Sequence, residues 1–210
     1  MEDVLATYER PQSSEEPVVC EDEKAVSLHG EVREPQRMQA GRIAQRDSEY
    51  KRCGTANIFC AVEAKAGVHF TKVTEKRSAR EWAMFMKEIA DFYPKAKTIH
   101  LVVDNLNIHR RKALVDCYGE PQGDALWKRF TVHYTPKHGS WLNQAEIEIG
   151  LLARQCLGKR RIEEIVKLGQ EVFAWNQASN HRGTRIQWKF DRIKAREKFR
   201  YSPLILRSEN

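Results

Sequence analysis

Short apolar runs broken by polar clusters fill the first half of the chain, and helical spacing takes over further on. Pro17-Val18-Val19-Cys20 is apolar and gives way to Glu21-Asp22-Glu23-Lys24, the pattern of a buried strand emerging at a sheet edge. Residues 1–16 are polar, with Pro11 and a Ser13-Ser14-Glu15-Glu16 cluster, and predict a lead-in helix or linker outside the core. Residues 30–54 show neither period and predict a long loop. Thr55–Val62 and Val68–Thr74 predict two strands joined by a turn at Gly67, making an antiparallel meander with the first strand.

Ser78 and Glu81 have capping-box spacing, and Trp82, Phe85, Met86, Ile89 and Phe92 follow at helical intervals until Pro94. Ile99-His100-Leu101-Val102-Val103 is the nearly continuous apolar run of a strand covered on both faces, and it ends at Asp104-Asn105. Next come a short helix near Ile108–Cys117, a turn-rich stretch around Gly119, Pro121 and Gly123, and a strand at Thr131–Tyr134. Two helices are expected after Ser140, to about Leu157 and from Ile162 to about Gln177. This order predicts an α/β fold with helices on both faces of a mixed sheet. The division is 1–16 lead-in, 17–160 core and 161–210 basic helical extension.

Charge adds a polarity that hydropathy does not show. The 210 residues carry a net charge of +7, yet residues 151–210 hold 14 basic against 6 acidic side chains, and residues 1–150 hold 22 against 23. A cationic segment of this kind suits a polyanion, nucleic acid before membrane, and equally describes a solvated basic face. No apolar run approaches a membrane span, and the acidic start Met1-Glu2-Asp3 is unlike a signal peptide. Five widely spaced cysteines without a C-x-x-C pair indicate neither a disulfide framework nor a zinc site. A cytoplasmic protein is expected.

Acids at strand exits can be brought to one shared spot, and Asp22 and Asp104 follow the two strands expected side by side at the sheet centre. Alternation puts Val18, Cys20 and Asp22 on one face, and Glu21 and Glu23 on the other. Carboxylates suit magnesium, and two-metal phosphoryl transfer calls for a third acid. Either aspartate by itself also fits a turn or cap. Glu146 and Glu148 flank the apolar face of their helix at similar angles, and either could be the third acid. Glu146 has a competing explanation in the capping-box spacing of Asn143-Gln144-Ala145-Glu146.

The runs 102–109 (Val-Val-Asp-Asn-Leu-Asn-Ile-His) and 133–146 (His-Tyr-Thr-Pro-Lys-His-Gly-Ser-Trp-Leu-Asn-Gln-Ala-Glu) closely resemble two signature blocks of bacterial DDE transposases. The branch is the mariner-like one, the insertion sequence family numbered 630. Residues 19–24 resemble the block with its first catalytic Asp, and 52–57 the strand that follows; the likeness runs from about residue 8 to 201. The resemblance implies an RNase H-like (retroviral integrase-like) fold in which Asp22, Asp104 and Glu146 bind two Mg²⁺ ions, with Mn²⁺ able to substitute. It selects Glu146 over Glu148. The implied activity is DNA cleavage by in-line displacement, followed by strand transfer from the freed 3′-hydroxyl.

The implied partners are the terminal inverted repeats of the element, target DNA, and a second copy of the chain in the synaptic complex, at the bacterial nucleoid. Asn105 and His109 would lie near the site, able to touch phosphates, although a solvated helix start explains them equally well. Lys137 and His138 precede the third acid and are candidate contacts to the cut strand. Lys159, Arg160, Arg161, Lys189, Lys194 and Arg196 are candidate phosphate contacts in the basic segment. Trp141 is expected in the core rather than as a base-stacking platform.

Two departures stand out. Glu21 occupies a position that is usually apolar in the family, which would bury a charge unless that strand end is open to solvent. No helix-turn-helix region precedes Tyr8, so Met1 has the look of an internal start, and a separate N-terminal reader or a full-length transposase is an expected partner. The alternative function is a catalytically silent DNA-binding remnant or accessory subunit. A structure-specific nuclease of the same fold is a third option.

Overall fold

The computed structural model describes residues 1–202. Helix α1 (Glu2–Glu9) precedes strands β1 (Val18–Glu31), β2 (Tyr50–Glu63) and β3 (Val68–Thr74). Helix α2 (Ala79–Phe92), strand β4 (Ile99–Val103), helices α3 (Arg111–Tyr118) and α4 (Glu120–Trp127) and strand β5 (Phe130–Tyr134) follow. A 3₁₀ turn (Ser140–Leu142) leads into α5 (Ala145–Leu152), which continues as a π-helical turn (Ala153–Leu157); α6 (Ile165–Arg182) and α7 (Arg192–Phe199) complete the order. No helix among the described residues is long and apolar enough to cross a membrane.

The five strands form one sheet in the order β3-β2-β1-β4-β5. The meander β1-β2-β3 is antiparallel, while β4 lies parallel to β1 and β5 parallel to β4. Strands β1 and β4 are therefore central neighbours, as the sequence predicts. Alternation divides the apolar residues between two faces. Val19, Phe59, Ala61, Leu101 and Val103 pack under Trp82, Phe85, Met86 and Ile89 of α2. On the other face Ile58 and Cys60 pack against α5 and α6, and Cys20, Val62 and Val102 against α1 and Ala195 of α7. Ser78 caps α2 as expected, its Oγ accepting from the Glu81 N–H at 3.2 Å. Phe92 alone of that apolar series is exposed, and its ring meets the edge of Phe70.

Three local expectations change. Strand β1 does not stop at Cys20: β2 pairs with it from Cys20↔Val62 to Glu31↔Tyr50, and this ladder satisfies the backbone of the charged stretch. Helix α1 belongs to the core rather than to a linker, with Val4 and Leu5 fully buried and Tyr8 Oη donating to the Leu142 carbonyl at 2.8 Å. The turn-rich stretch at Gly119–Gly123 is helical. Pro121 sits in the first turn of α4, where its missing N–H costs nothing, and a Cβ at Gly123 would lie 2.6 Å from the Val115 backbone, so α4 packs closely on α3 only with glycine there. Of the predicted C-terminal extension, residues 203–210 lie outside the described residues.

Candidate active site

The parallel register of β1 and β4 pairs Val18 with His100, Val19 with Leu101 and Cys20 with Val102. Extended two residues further, the same register sets Asp22, which lies within β1 rather than at its exit, level with Asp104 just past the end of β4. Asn143 then joins the third segment to this spot: its Nδ2 donates to the Glu21 carbonyl at 2.7 Å, and its Oδ1 accepts from the Ala145 N–H at 3.1 Å. The start of α5 is thereby fastened to the strand residue next to Asp22. No capping box forms here, because the Asn143 carboxamide is spent on Glu21 and Ala145, and Glu146 is left exposed in the first turn.

Electrostatics tie the three acids together. Burial pushes the Asp22 carboxyl up to about 7, and the charges of Glu146, Glu23 and Asp104 push the same way, against one opposing bond from the Glu23 N–H. Asp104 behaves oppositely: burial raises it, but hydrogen bonds from His109 and the Leu106 N–H prevail and hold it below the usual carboxylate range. Glu148, the rival third acid, is buried with its Oε1 2.6 Å from His69 Nδ1, a hydrogen-bonded contact between α5 and β3. Helical angle alone could not separate the two glutamates; the position of α5 on the sheet does.

Beneath Asp104, on the α2 face, lies a buried polar group that the strand pattern only half announces. Glu21 is fully buried, so its strand end is not open to solvent, and burial drives its carboxyl well above the ordinary range. Its Oε2 accepts from Trp82 Nε1 at 3.1 Å and lies 3.7 Å from His109 Nε2. The same nitrogen is 2.9 Å from Glu23 Oε1, and His109 Nδ1 is 2.8 Å from Asp104 Oδ1. Burial works against a charged imidazole here, yet the Asp104 and Glu23 carboxylates outweigh it and carry His109 up to about 11. Both ring nitrogens are engaged, so His109 has no atom free for a phosphate. Glu23, Trp82 and His69 were not singled out in the sequence. The one local signal was the pair Glu21 and Glu23 on a face that is otherwise apolar.

The donor set of Asp22, Asp104 and Glu146 fits a hard divalent cation: three carboxylates, all oxygen donors, with Asp22 raised by burial and then by the neighbouring negative charges. Glu21, Glu23 and His109 also offer ligand atoms within 4.8 Å of one another. A consequence is testable. A carboxyl near 7 must lose its proton to bind a metal, so Mn²⁺ binding should release protons below pH 7, and the apparent affinity should rise with pH up to about that value, by at most about tenfold per unit. Titration calorimetry in buffers of different ionisation enthalpy measures the released proton; a buffer-independent heat between pH 5.5 and 6.5 would contradict it.

The remaining candidates divide. Asn105 is exposed beside Asp104. Lys137 and His138 are exposed at the tip of a tight turn closed by Gly139 N–H to the Pro136 carbonyl at 2.8 Å, with His138 at φ 61°. Lys159 and Lys189 are exposed, with no carboxylate partner among the described residues. Arg161 instead binds Glu31 and the carbonyls of Asp47, Ser48 and Glu49, fastening the 32–49 loop. Arg160 pairs with Glu171, and Arg196 grips Glu2 through two nitrogens. Lys194 is held by Asp191 and the Lys189 carbonyl. Much of the basic excess is thus used inside the fold. Trp141, expected in the core, is 47% exposed and stands edge-on to Phe190.

The family model described as DDE superfamily endonuclease matches residues 17–169. The chain belongs to this family. Its match begins one residue before β1 and ends within α6, so it spans the whole sheet and Asp22, Asp104 and Glu146. No curated protein matches the chain. Among solved structures, the Mos1 mariner paired-end complex with Mn is similar at 16% identity and a TM-score of 0.55, over 86% of this chain and 55% of that one. The Mos1 paired-end complex with the left transposon end gives 15% identity and 0.56 over 86% and 55%, and the Mos1 strand transfer complex 16% and 0.56 over 83% and 51%. The likeness establishes a shared fold, the RNase H-like one, and this DDE domain spans about half the length of those chains.

Proposed function

We propose that this DDE domain is the catalytic part of a transposase of the bacterial mariner-like branch, cutting DNA strands at element ends and transferring the freed 3′ end to target DNA. The observation that carries this reading is the parallel register of β1 and β4, which extended two residues sets Asp22 beside Asp104, with Glu146 foremost among the charges acting on Asp22. Asp22, Asp104 and Glu146 would hold the divalent ions, Mg²⁺ or Mn²⁺. When bound, such ions stabilise charge on the transferring phosphate and make a hydroxyl nucleophile available at neutral pH.

The protein's own side chains do the rest. Asn105 and the exposed Lys137 and His138 flank the acids and fit the phosphates either side of the cut, while Lys159 and Lys189 extend a sequence-independent grip along the strand. None of these contacts reads bases, so recognition of the terminal repeats falls to another segment or partner, and pairing of two ends makes a homodimer the natural assembly. Asp22 within β1, Asp104 just past β4 and an exposed Glu146 at the start of α5 support an active domain over a silent remnant.

The test is nicking of supercoiled DNA carrying the element ends, with and without a supplied N-terminal reader. Strand breaks that need Mg²⁺ or Mn²⁺ and vanish with chelator are expected. Absence of breaks with both ions and with the reader present would defeat the reading.

A further inference from the structure

Asp104 ends a strand in a half-exposed position, where a free carboxylate would sample several rotamers. Its Oδ1 nevertheless accepts from the Leu106 N–H at 3.0 Å and lies 2.8 Å from His109 Nδ1, which also meets the Asp104 main-chain carbonyl at 3.2 Å. Its Oδ2 has no hydrogen-bond partner among the described residues. The imidazole that makes the second bond is itself immobilised: His109 is fully buried, its ring lies 5.2 Å from that of Trp82, and Tyr134 Oη donates to its backbone carbonyl at 2.7 Å. Its far nitrogen meets Glu23 Oε1 at 2.9 Å, and the Glu23 side chain is only 1% exposed.

We propose that His109 is a positioning residue, braced from behind by Glu23, that pins one oxygen of Asp104 and leaves the other to a divalent cation. The inference rests on the functional reading above and adds a role for two buried groups that are themselves too enclosed to meet DNA. The arrangement follows a general habit of metal sites, in which a hydrogen bond from outside the ligand set orients a ligand and sets its affinity. Glu23 reaches Asp104 through the imidazole. Because β1 carries both Asp22 and Glu23, one strand supplies an acid of the site and, through the adjacent side chain, the brace for the other.

The experiment measures Mn²⁺ binding to the full chain by electron paramagnetic resonance without DNA, with urea midpoints recorded for every variant. His109→Ala should weaken Mn²⁺ binding about tenfold or more. His109→Asn, which keeps an amide N–H on the Asp104 side, should recover most of that loss, while His109→Gln, whose amide reaches toward Glu23 instead, should not. Glu23→Gln should weaken binding about threefold, by loosening the brace. Should the alanine variant fail to fold, the Asn and Gln variants decide alone, with Asn expected to bind at least about fivefold more tightly. Folded Ala, Asn and Gln variants that all bind Mn²⁺ within twofold of wild type would overturn the proposal. If the wild-type chain nicks DNA and Asp104→Asn does not, such a result removes only the positioning role; if the wild type neither binds Mn²⁺ nor nicks, the functional reading falls with it.

Discussion

Asp104→Asn is expected to reduce metal-dependent nicking by at least about 10³-fold, equivalent to ~4 kcal/mol of transition-state stabilisation, while the domain stays folded. The substitution removes a charge and leaves a carbonyl oxygen for the bonds from Leu106 and His109 that now fix Oδ1. Asp104→Ala should abolish nicking equally but also strip His109 of one of the three carboxylates around it, at a cost in stability. The pair of variants separates chemistry from folding: equal loss of nicking with unequal urea midpoints is the expected pattern. Nicking by Asp104→Asn within tenfold of wild type would remove Asp104 from the site.

Trp82→Ala should have the largest effect on stability, about 3–5 kcal/mol from the lost ring and cavity alone. Trp82 is fully buried in the α2 cluster, and its indole N–H donates to Glu21 Oε2 at 3.1 Å, the one hydrogen bond to that oxygen among the described residues. Glu21 Oε1 already has no hydrogen-bond partner among the described residues, so the variant would leave both oxygens of a buried carboxyl without a hydrogen bond there, adding about 1–3 kcal/mol. Against a typical total of about 5–15 kcal/mol, this brings the domain close to its folding limit. Trp82→Phe keeps most of the volume and loses the donor, so it should cost roughly the second term only. Urea unfolding followed by circular dichroism checks both, and a Trp82→Ala loss under about 1 kcal/mol would contradict the packing described.

Local rules carried a large part of the fold. The Ser78 cap, the apolar face of α2 and the wholly buried β4 follow from spacing and side-chain chemistry within one element, and each stands as expected. They failed where a distant segment supplied what the local pattern lacked. The charged run after Cys20 stays in β1 because β2 lies alongside it, and α1 is buried because its apolar stripe meets Cys20, Val62 and Val102. The basic C-terminal segment was legible as charge but not as use: Arg160, Arg161 and Arg196 answer to Glu171, Glu31 and Glu2, two of them about 130 residues or more away in sequence.

The candidate site divides in the same way. Sequence by itself determined that Asp104 follows a buried strand, that Asp22 faces away from Glu21 and Glu23, and that a third acid opens a later helix, because strand alternation and helix starts are properties of a few consecutive residues. Only the tertiary structure decided which glutamate of α5 remains open and which is consumed by His69, and how a buried Glu21 is tolerated beside Trp82 and His109. Those outcomes depend on which side chains meet across the sheet, and burial makes each meeting decisive: in a low-dielectric interior a carboxyl is held by its partners, and partners from distant segments leave no mark on local pattern.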